Sequence, residues 1–452
     1  MSNSQPLAVD NPRLLGQQLS DIAEHCLTLA RRQGASASEL GVSTSSGLSV
    51  TARMREVETI EHIRDKGIGL TVYVGQRKGT ATSSDFSPEA IADTVRAALA
   101  IARHTGEDEC SGLGDAQRMA TDLPDLDLYH PWALEPQDAV ALALETEAAA
   151  LDHDSRISNS DGASVGTHTT SHVYANSHGF VGLRHSTRHS MSCVCIGEDE
   201  SGMQRDYWYD SARAHTDMRP GTEIGSEAAR RTLRRLSPGQ VKTGTYPVLL
   251  PPEVASSLFG HFIGAIRGPN LYRDASFLVG HQGKQVFADH IRVHEQPHLP
   301  RAAGSASYDG EGVATSARDL VADGILQGYV LDSYAGRKLS LPSTGNAGGV
   351  HNLTVAPGSE DLEALCKRMG TGVLVSDLMG MGVSIITGDY SRGASGFWVE
   401  NGVIAHPIKE FTIAGQLADM FLNIVAVGSD TDTRGNTRTG SVLLSPMTVA
   451  GQ

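Results

Sequence analysis

The chain has 452 residues, of which 40% are hydrophobic and 20% charged, and its formal net charge is −15. This length exceeds what a single hydrophobic core normally serves, so we expect two or three domains. The acidic balance disfavours binding to the phosphate backbone of nucleic acids. The five scattered cysteines are odd in number, which disfavours a disulfide framework.

The first predicted unit consists of a helix, antiparallel strands and a second helix. Apolar residues recur at three- or four-residue intervals and predict a helix from Pro12 to Gly34. Strand-like runs follow at residues 41–51, 56–64, 68–74 and 80–83, with a hairpin turn at residues 75–79. Ser87 and Pro88 are typical of a helix start and predict a second helix to about His104. We interpret residues 1–110 as an N-terminal α+β domain.

The second predicted unit repeats this order after a linker. Residues 111–131 are rich in Gly, Asp and Pro and show no periodicity, which indicates a linker. Residues 132–238 form a middle α+β domain, with predicted helices at 135–153 and 221–236 and strand-like segments at 157–165, 169–176, 179–186 and 189–197. The repeated order suggests two related α+β modules.

The remaining residues, 239–452, have the composition of a β domain. Residues 246–250 are typical of a buried strand, a helix is predicted over 252–267, and a short one over 417–423. Short segments rich in Gly, Thr, Ser and Val fill most of the rest. The predicted fold class is therefore α+β, with N-terminal α+β modules that contain antiparallel sheets followed by a large, mostly antiparallel β domain.

Three segments carry a resemblance to a known family. They are Gly-Ile-Gly at residues 67–69, Pro-Asn-Leu-Tyr-Arg at residues 269–273, and Gly-Asp-Tyr-Ser-Arg-Gly-Ala-Ser-Gly-Phe-Trp-Val-Glu-Asn-Gly at residues 388–402. With them the whole chain resembles the TldD/PmbA family, and more closely its PmbA (TldE) branch, known as the modulator of DNA gyrase. The resemblance implies a three-part chain. It also implies a zinc site in the TldD branch, made by a His-Glu-x-x-x-His helix and a distant C-terminal Cys, and a heterodimeric TldD/TldE peptidase.

The helix at residues 252–267 resembles that zinc helix with most of its chemistry missing. The motif aligns its first His with His261, its Glu with Phe262 and its second His with Ile266, and residues 431–452 contain no Cys. A zinc peptidase needs converging ligands and a carboxylate that activates water. The resemblance therefore implies a vestigial motif with no catalytic residue and no metal on this chain, and zinc on a TldD-like partner. The alternative reading of His261 is an ordinary packed histidine among apolar neighbours.

Three other groups of polar residues have a spacing or composition that suits a binding site. His168 with His172, and His185 with His189, have metal-ligand spacing on a helix, but on a strand the two side chains of a pair would lie about 13 Å apart. Four arginines, Arg230, Arg231, Arg234 and Arg235, favour a solvated helix face or partners for carboxylates over a nucleic-acid site. Asp389, Tyr390, Ser391 and Arg392 could contact an extended peptide or a partner, or could form a glycine-rich turn.

These observations lead to three hypotheses of function. The first is the metal-free TldE/PmbA-type subunit of a cytosolic heterodimeric zinc metallopeptidase that acts on unfolded or extended peptides, with a TldD-like partner supplying zinc and hydrolysis. Family activity of this kind includes leader-peptide trimming and antitoxin degradation. The second is a non-enzymatic homodimer that binds polypeptides. The third is an independent peptidase with an unrecognised site.

The sequence also predicts where the protein works. No run of about eighteen apolar residues is present, and residues 1–6 lack the pattern of a signal peptide. We expect a cytoplasmic protein whose partners are other polypeptides, without contact to membranes or nucleic acid.

Overall fold

The computed structural model describes residues 7–9 and 11–451, so the prediction about residues 1–6 lies outside the described residues. Its first half is built on one sheet of six long antiparallel strands in the order β3-β2-β1-β4-β5-β6. The strands are β1 (Ala37–Arg53), β2 (Glu56–Val74), β3 (Arg77–Ser83), β4 (Ile157–Asn176), β5 (Val181–Asp199) and β6 (Gly202–Ala212).

The repeat of element order predicted from the sequence is confirmed, and both repeats share this sheet. Strands β1 and β4 pair antiparallel from Glu39 opposite Asn176 to Ala52 opposite Ala163, and this pairing joins two three-strand meanders. Along the chain, each meander is preceded by one helix and followed by another. The helices are α1 (Pro12–Arg32) and α2 (Pro88–His104) in the first repeat, and α3 (Pro136–Leu151) and α4 (Gly221–Arg234) in the second. The two repeats are therefore one continuous β structure.

Several predicted strands were too short. The runs at 56–64 and 68–74 form one strand, β2, and the four segments between 157 and 197 form only two, β4 and β5. Strand β6 was not predicted. Residues 56–66 of β2 are exposed on both faces, and β3 pairs only with residues 68–74, so the outer edge of residues 56–66 carries no strand in the described chain. The gap between the two predicted runs falls at residues 65–67, Asp-Lys-Gly, which are residue types that are depleted in strands.

The four helices cover one face of the sheet. Helices α1 and α2 pack on Leu40, Val42 and Leu70 near one end of the long strands, and α3 and α4 pack on Leu48 and Val50 near the other. Asn11 caps α1 and Ser87 caps α2 by accepting backbone N–H groups, and each is followed by a proline. The helix start at Ser87 is confirmed. The opposite face of β4 and β5 meets loops of the C-terminal half.

A buried carboxylate holds the turn between β1 and β2. The two turn residues, Met54 and Arg55, both have positive φ, which is costly for residues with a side chain. Glu147 on α3 is fully buried and accepts the backbone N–H groups of both, at 2.8 and 2.7 Å. The side chain of one repeat therefore fixes the hairpin of the other.

The C-terminal half is organised around a second six-stranded sheet, in the order β14-β13-β12-β7-β17-β15. It is mostly antiparallel, as predicted, with one parallel pair between β7 and β12, and an extra pairing of β14 with β17 closes five of its strands on themselves. The strands are β7 (Gly244–Leu250), β12 (Gly372–Met379), β13 (Asp389–Glu400), β14 (Val403–Gln416), β15 (Ile424–Val427) and β17 (Val442–Ala450).

Helices and a small sheet complete this half. The helices are α5 (Pro252–Ile266), α6 (Gly268–Leu271), α7 (Ser333–Leu339), α8 (Leu362–Met369) and α9 (Leu417–Leu422). The small sheet contains β8 (Val293–Glu295), β9 (Arg318–Ala322), β10 (Ile325–Leu326), β11 (Leu353–Val355) and β16 (Thr437–Arg438). Helix α5 packs in the large core of this half, whereas α8 packs on the other face of β7. Among the described residues, no helix combines the length and apolarity needed to cross a membrane.

We expect Gly396→Ala to destabilise the C-terminal domain. A Cβ at this position would lie 2.1 Å from the carbonyl oxygen of Leu374, so strands β12 and β13 would have to separate. Overpacking of this kind costs about 1–3 kcal/mol. Gly69→Ala is the matched control, because a Cβ there meets nothing within 4 Å. Urea unfolding of both variants measures the difference, and equal midpoints would contradict the prediction.

Candidate functional site

Helix α5 is fixed at both ends by the sequence around it. It begins with Pro252 at its first turn and Glu253 beside its positive N-terminal end. At its C-terminal end the carbonyl of Gly264 accepts from the Asn270 amide at 2.7 Å, and that of Ala265 accepts from the Ser276 hydroxyl at 2.6 Å. The segment at residues 269–273 that carried the family resemblance thus supplies a helix cap.

His261 lies half-buried on α5 and has no polar partner among the residues that the structure describes. Its Nε2 atom is buried and makes no hydrogen bond, and its ring forms a T-shaped pair with the Tyr390 ring at 6.0 Å between centroids. Burial lowers the pKa of His261, and the nearby Arg392 guanidinium lowers it further. The imidazole is therefore neutral at pH 7, and it packs against an aromatic ring.

The two positions that align with the missing chemistry belong to the hydrophobic core. Phe262 and Ile266 are fully buried. The Phe262 ring meets Phe287 edge-on at 4.9 Å and Phe421 at 6.1 Å. Aromatic pairs in this arrangement contribute beyond their buried area. Phe262 is therefore a central packing residue of this half of the chain.

The side chains around His261 do not fit a zinc ion. Zinc needs three or four nitrogen, sulfur or oxygen donors that converge on one point. Phe262 and Ile266 offer carbon, and the nearest ring, Tyr390, has its pKa raised to about 12 by burial, so it stays a neutral phenol. Within residues 7–9 and 11–451, no three His, Cys, Asp or Glu side chains are placed to share a metal.

The polar group at residues 389–392 lies on a strand and not in a turn. Asp389 begins β13, and its carboxylate accepts from the Thr387 hydroxyl and the Gln416 amide, which lower its pKa. Tyr390 is buried beside His261 and Ser391 is exposed. Arg392 donates to the carbonyls of Met379 and Leu378 at 3.1 and 3.3 Å. The alternative of a glycine-rich turn was wrong, and a contact to peptide or partner stays a prediction.

The sequence reasoning missed an apolar surface next to this group. The loop at residues 380–388 joins β12 to β13, and its residue Ile385 approaches α5 at Gly264. Met381 is 96% exposed and Ile386 62%, and Met379 at the end of β12 is also exposed. We call these three side chains the loop patch. Single exposed apolar residues are ordinary on protein surfaces, but three of them within residues 379–386 make this loop a candidate contact surface, and a count of apolar residues along the loop could have signalled it.

The other candidate groups have structural roles. Arg230 pairs with Glu227, while Arg231 and Arg235 both approach Asp206. For these three arginines, the prediction of carboxylate partners is confirmed. The histidine pairs lie on β4 and β5, as expected for strands. Of them, His185 bonds Ser171, and His189 bonds Thr167 and the carbonyl of His130.

Known proteins match this chain over most of its length. The family descriptions "PmbA/TldA metallopeptidase domain 1", "central domain" and "C-terminal domain" match residues 38–102, 129–236 and 243–451. A relative from Escherichia coli O157:H7 named Metalloprotease PmbA is 50% identical over 414 residues, which is 92% of each chain. A Metalloprotease PmbA homolog from Haemophilus influenzae is 48% identical over 96% of each chain.

Solved structures agree with these relatives. A candidate modulator of DNA gyrase from Bacteroides thetaiotaomicron superposes with a TM-score of 0.91 at 27% identity, covering 96% of this chain and 99% of that one. TldE from Thermococcus kodakarensis superposes with a TM-score of 0.80 at 19% identity, covering 95% and 100%, and so shows the same fold. On the matching domains and the half-identical relatives, the chain belongs to the PmbA/TldD metallopeptidase family.

Proposed function

We propose that this chain is the metal-free subunit of a heterodimeric peptidase whose TldD-like partner carries zinc and performs hydrolysis. The proposal rests on the side chains that α5 offers as metal ligands. One neutral imidazole packs on Tyr390, and both other motif positions are filled by core side chains. The helix keeps its place in the fold while its residues serve packing.

The family supports a partner of similar fold. Relatives named TldD homologs, which are more distant from this chain, match 81% and 45% of it. Two related chains can present similar surfaces to each other in a two-fold arrangement. The TldD-like chain would then hold its own zinc helix, and this chain would complete a chamber that admits unfolded peptides.

The loop patch is the surface that we assign to the partner in this proposal. It lies on the connection into β13, beside residues 389–392 and close to the C-terminal end of α5. An apolar side chain as exposed as Met381 gains free energy when a second protein covers it. Contact there would bring the partner next to the polar group that opens β13.

The test combines this chain with a TldD-like protein from the same cell that has an intact His-Glu-x-x-x-His helix. We expect the mixture to elute as a heterodimer and to hydrolyse an unfolded polypeptide in a chelator-sensitive way. Metal analysis of the separate chains should find zinc on the partner alone. Chelator-sensitive hydrolysis by this chain without a partner would refute the proposal, and a stable homodimer that ignores the TldD-like protein would favour a polypeptide-binding role.

Two variants sharpen the experiment. Met381→Glu should weaken the heterodimer by about tenfold or more, since it places a charge in a dehydrated contact. Met203→Glu is the matched control, because Met203 is 67% exposed on β6, in the first half of the chain. Analytical ultracentrifugation of each mixture measures the affinity. Equal effects of the two variants would remove the loop patch from the interface.

A further inference from the structure

A cavity of about 380 Å³ lies between the first sheet and the C-terminal half, remote in sequence from α5. Its walls include His172 on β4, Arg184 on β5, and Arg213 just after β6. Loops at residues 303–310 and 347–351 close it from the other side. Its volume is within the range of pockets that hold small ligands.

Three of the side chains lining the cavity have a buried polar atom without a hydrogen-bond partner. These atoms are His172 Nδ1, Arg213 Nε and the Tyr308 hydroxyl, among seven such atoms in the described part of the chain. Tyr308 is only 5% exposed. Buried polar groups are nearly always satisfied in native proteins, so three unsatisfied groups at one cavity indicate a missing ligand or solvent.

The charge at this cavity is positive and uncompensated. Burial lowers the pKa of Arg213 to about 10, with Arg188 and Arg184 as further causes, so both of these guanidinium groups lie close enough to Arg213 to repel it. In residues 7–9 and 11–451, none of the three has a carboxylate within ion-pair distance. Arg184 is exposed, and Arg188 and Arg213 are half-buried. A cleft lined by charges of one sign attracts counter-ions, so an anion would be favoured here.

The one acidic group in the cavity wall is already engaged. Asp309 accepts the backbone N–H groups of Glu311, Val313 and Ala347 at 2.9 to 3.0 Å, and burial raises its pKa. Its oxygens therefore hold the loop and do not neutralise the arginines. Arg213 also has a structural role at its other two nitrogens, which donate to the carbonyls of Thr187 and Ala303.

The remaining wall suits a short peptide end. Leu128, Ala306 and Val350 supply an apolar side, and Gly348 and Gly349 have open space where a Cβ would stand, which lets a backbone approach closely. Arg184 is exposed and makes no hydrogen bond or ion pair in the described chain, so its guanidinium is free to meet a ligand. A carboxylate fits this arrangement, because arginine binds it through two parallel hydrogen bonds.

We propose that this cavity binds the C-terminal carboxylate of a peptide through Arg184, Arg213 Nε and the Tyr308 hydroxyl. The choice of a peptide as the ligand rests on the proposed function, whereas the anion site rests on the unsatisfied groups alone. The cavity would hold one end of an extended chain while the partner acts on another part of it. Binding to the isolated chain can be measured without any hydrolysis.

The test is calorimetry of the full chain with N-acetyl-Ala-Ala, its C-terminal amide, and inorganic phosphate. We expect the free carboxylate to bind at least tenfold more tightly than the amide, since the amide cannot accept charge-assisted hydrogen bonds from arginine. Arg184→Gln and Tyr308→Phe should each weaken binding of N-acetyl-Ala-Ala by about tenfold or more. Arg64→Gln, an exposed arginine on β2, is the matched control and should not change it.

Each outcome decides the proposal. Equal binding of acid and amide, no binding by the wild-type chain, or full binding by both cavity variants would overturn it. Phosphate binding without binding of N-acetyl-Ala-Ala would overturn the assignment to a peptide. Thermal melting shows whether Tyr308→Phe is folded, and Arg184→Gln changes an exposed side chain that makes no hydrogen bond or ion pair within the described residues. Carboxylate binding together with a mixture that fails to hydrolyse peptides would refute the proposed function and leave this site standing.

Discussion

Replacing Phe262 with glutamate is expected to unfold the C-terminal domain and not to restore a peptidase. The substitution restores the residue type of the zinc motif at its aligned position, but this position is fully buried against Phe287 and Phe421. Loss of a buried phenyl ring costs about 3–5 kcal/mol, and an unpaired buried carboxylate adds to that cost. Whole domains are stable by only about 5–15 kcal/mol.

Urea unfolding, monitored by tryptophan fluorescence, measures the loss of stability. Metal analysis measures whether the variant binds zinc. Phe262→Leu is the matched control, because it keeps an apolar side chain and should lose far less stability than Phe262→Glu. His261→Gln should also be mild, since its imidazole makes no hydrogen bond through Nε2. A folded Phe262→Glu variant that binds zinc stoichiometrically would show that the helix is still a usable metal site.

Glu147→Ala is expected to loosen the hairpin between β1 and β2 and to destabilise the first half of the chain. The carboxylate accepts the N–H groups of Met54 and Arg55, and both of these residues hold a left-handed backbone without being glycine. Hydrogen bonds to a charged group contribute about 1.5–3 kcal/mol each, and the turn tip is exposed to water, which can replace part of that. We expect a loss of roughly 3 kcal/mol.

The control for this prediction is on the same helix. Glu145 is exposed and makes no hydrogen bond or ion pair in the described chain, so Glu145→Ala should change the free energy of unfolding little. Hydrogen exchange at the amides of Met54 and Arg55 should become faster in Glu147→Ala alone. Unchanged exchange at these two amides would mean that the turn is stable without the hydrogen bonds from Glu147.

Local signals in the sequence predicted the fold class and six helices, but not α6, α7 or α8. Asn11 with Pro12, and Ser87 with Pro88, mark helix starts through caps that the structure contains. The strand at residues 56–74 was cut in two at residues 65–67, because an aspartate, a lysine and a glycine in succession interrupt the strand-like composition there. A rule based on local composition has no way to follow a strand through such residues.

The site was predicted only in part, for a related reason. Phe262 and Ile266 could be recognised as apolar replacements in a helix, so their place in the core follows from local pattern. The contact of His261 with Tyr390 joins elements far apart in the chain, and no spacing rule links them. The anion cavity joins β4, β5 and two loops, and its unpaired arginines look in the sequence like ordinary surface cations.

The bare outer edge of β2 at residues 56–66 has a consequence for solubility. An edge strand with free backbone groups is a template on which other chains can stack, and proteins prevent this with charged side chains. Here Glu56, Glu58, Glu61 and Lys66 lie along that edge together with exposed Ile60. These charges oppose edge-to-edge pairing. Neutral replacements of the glutamates would therefore leave the fold intact and increase aggregation of the chain.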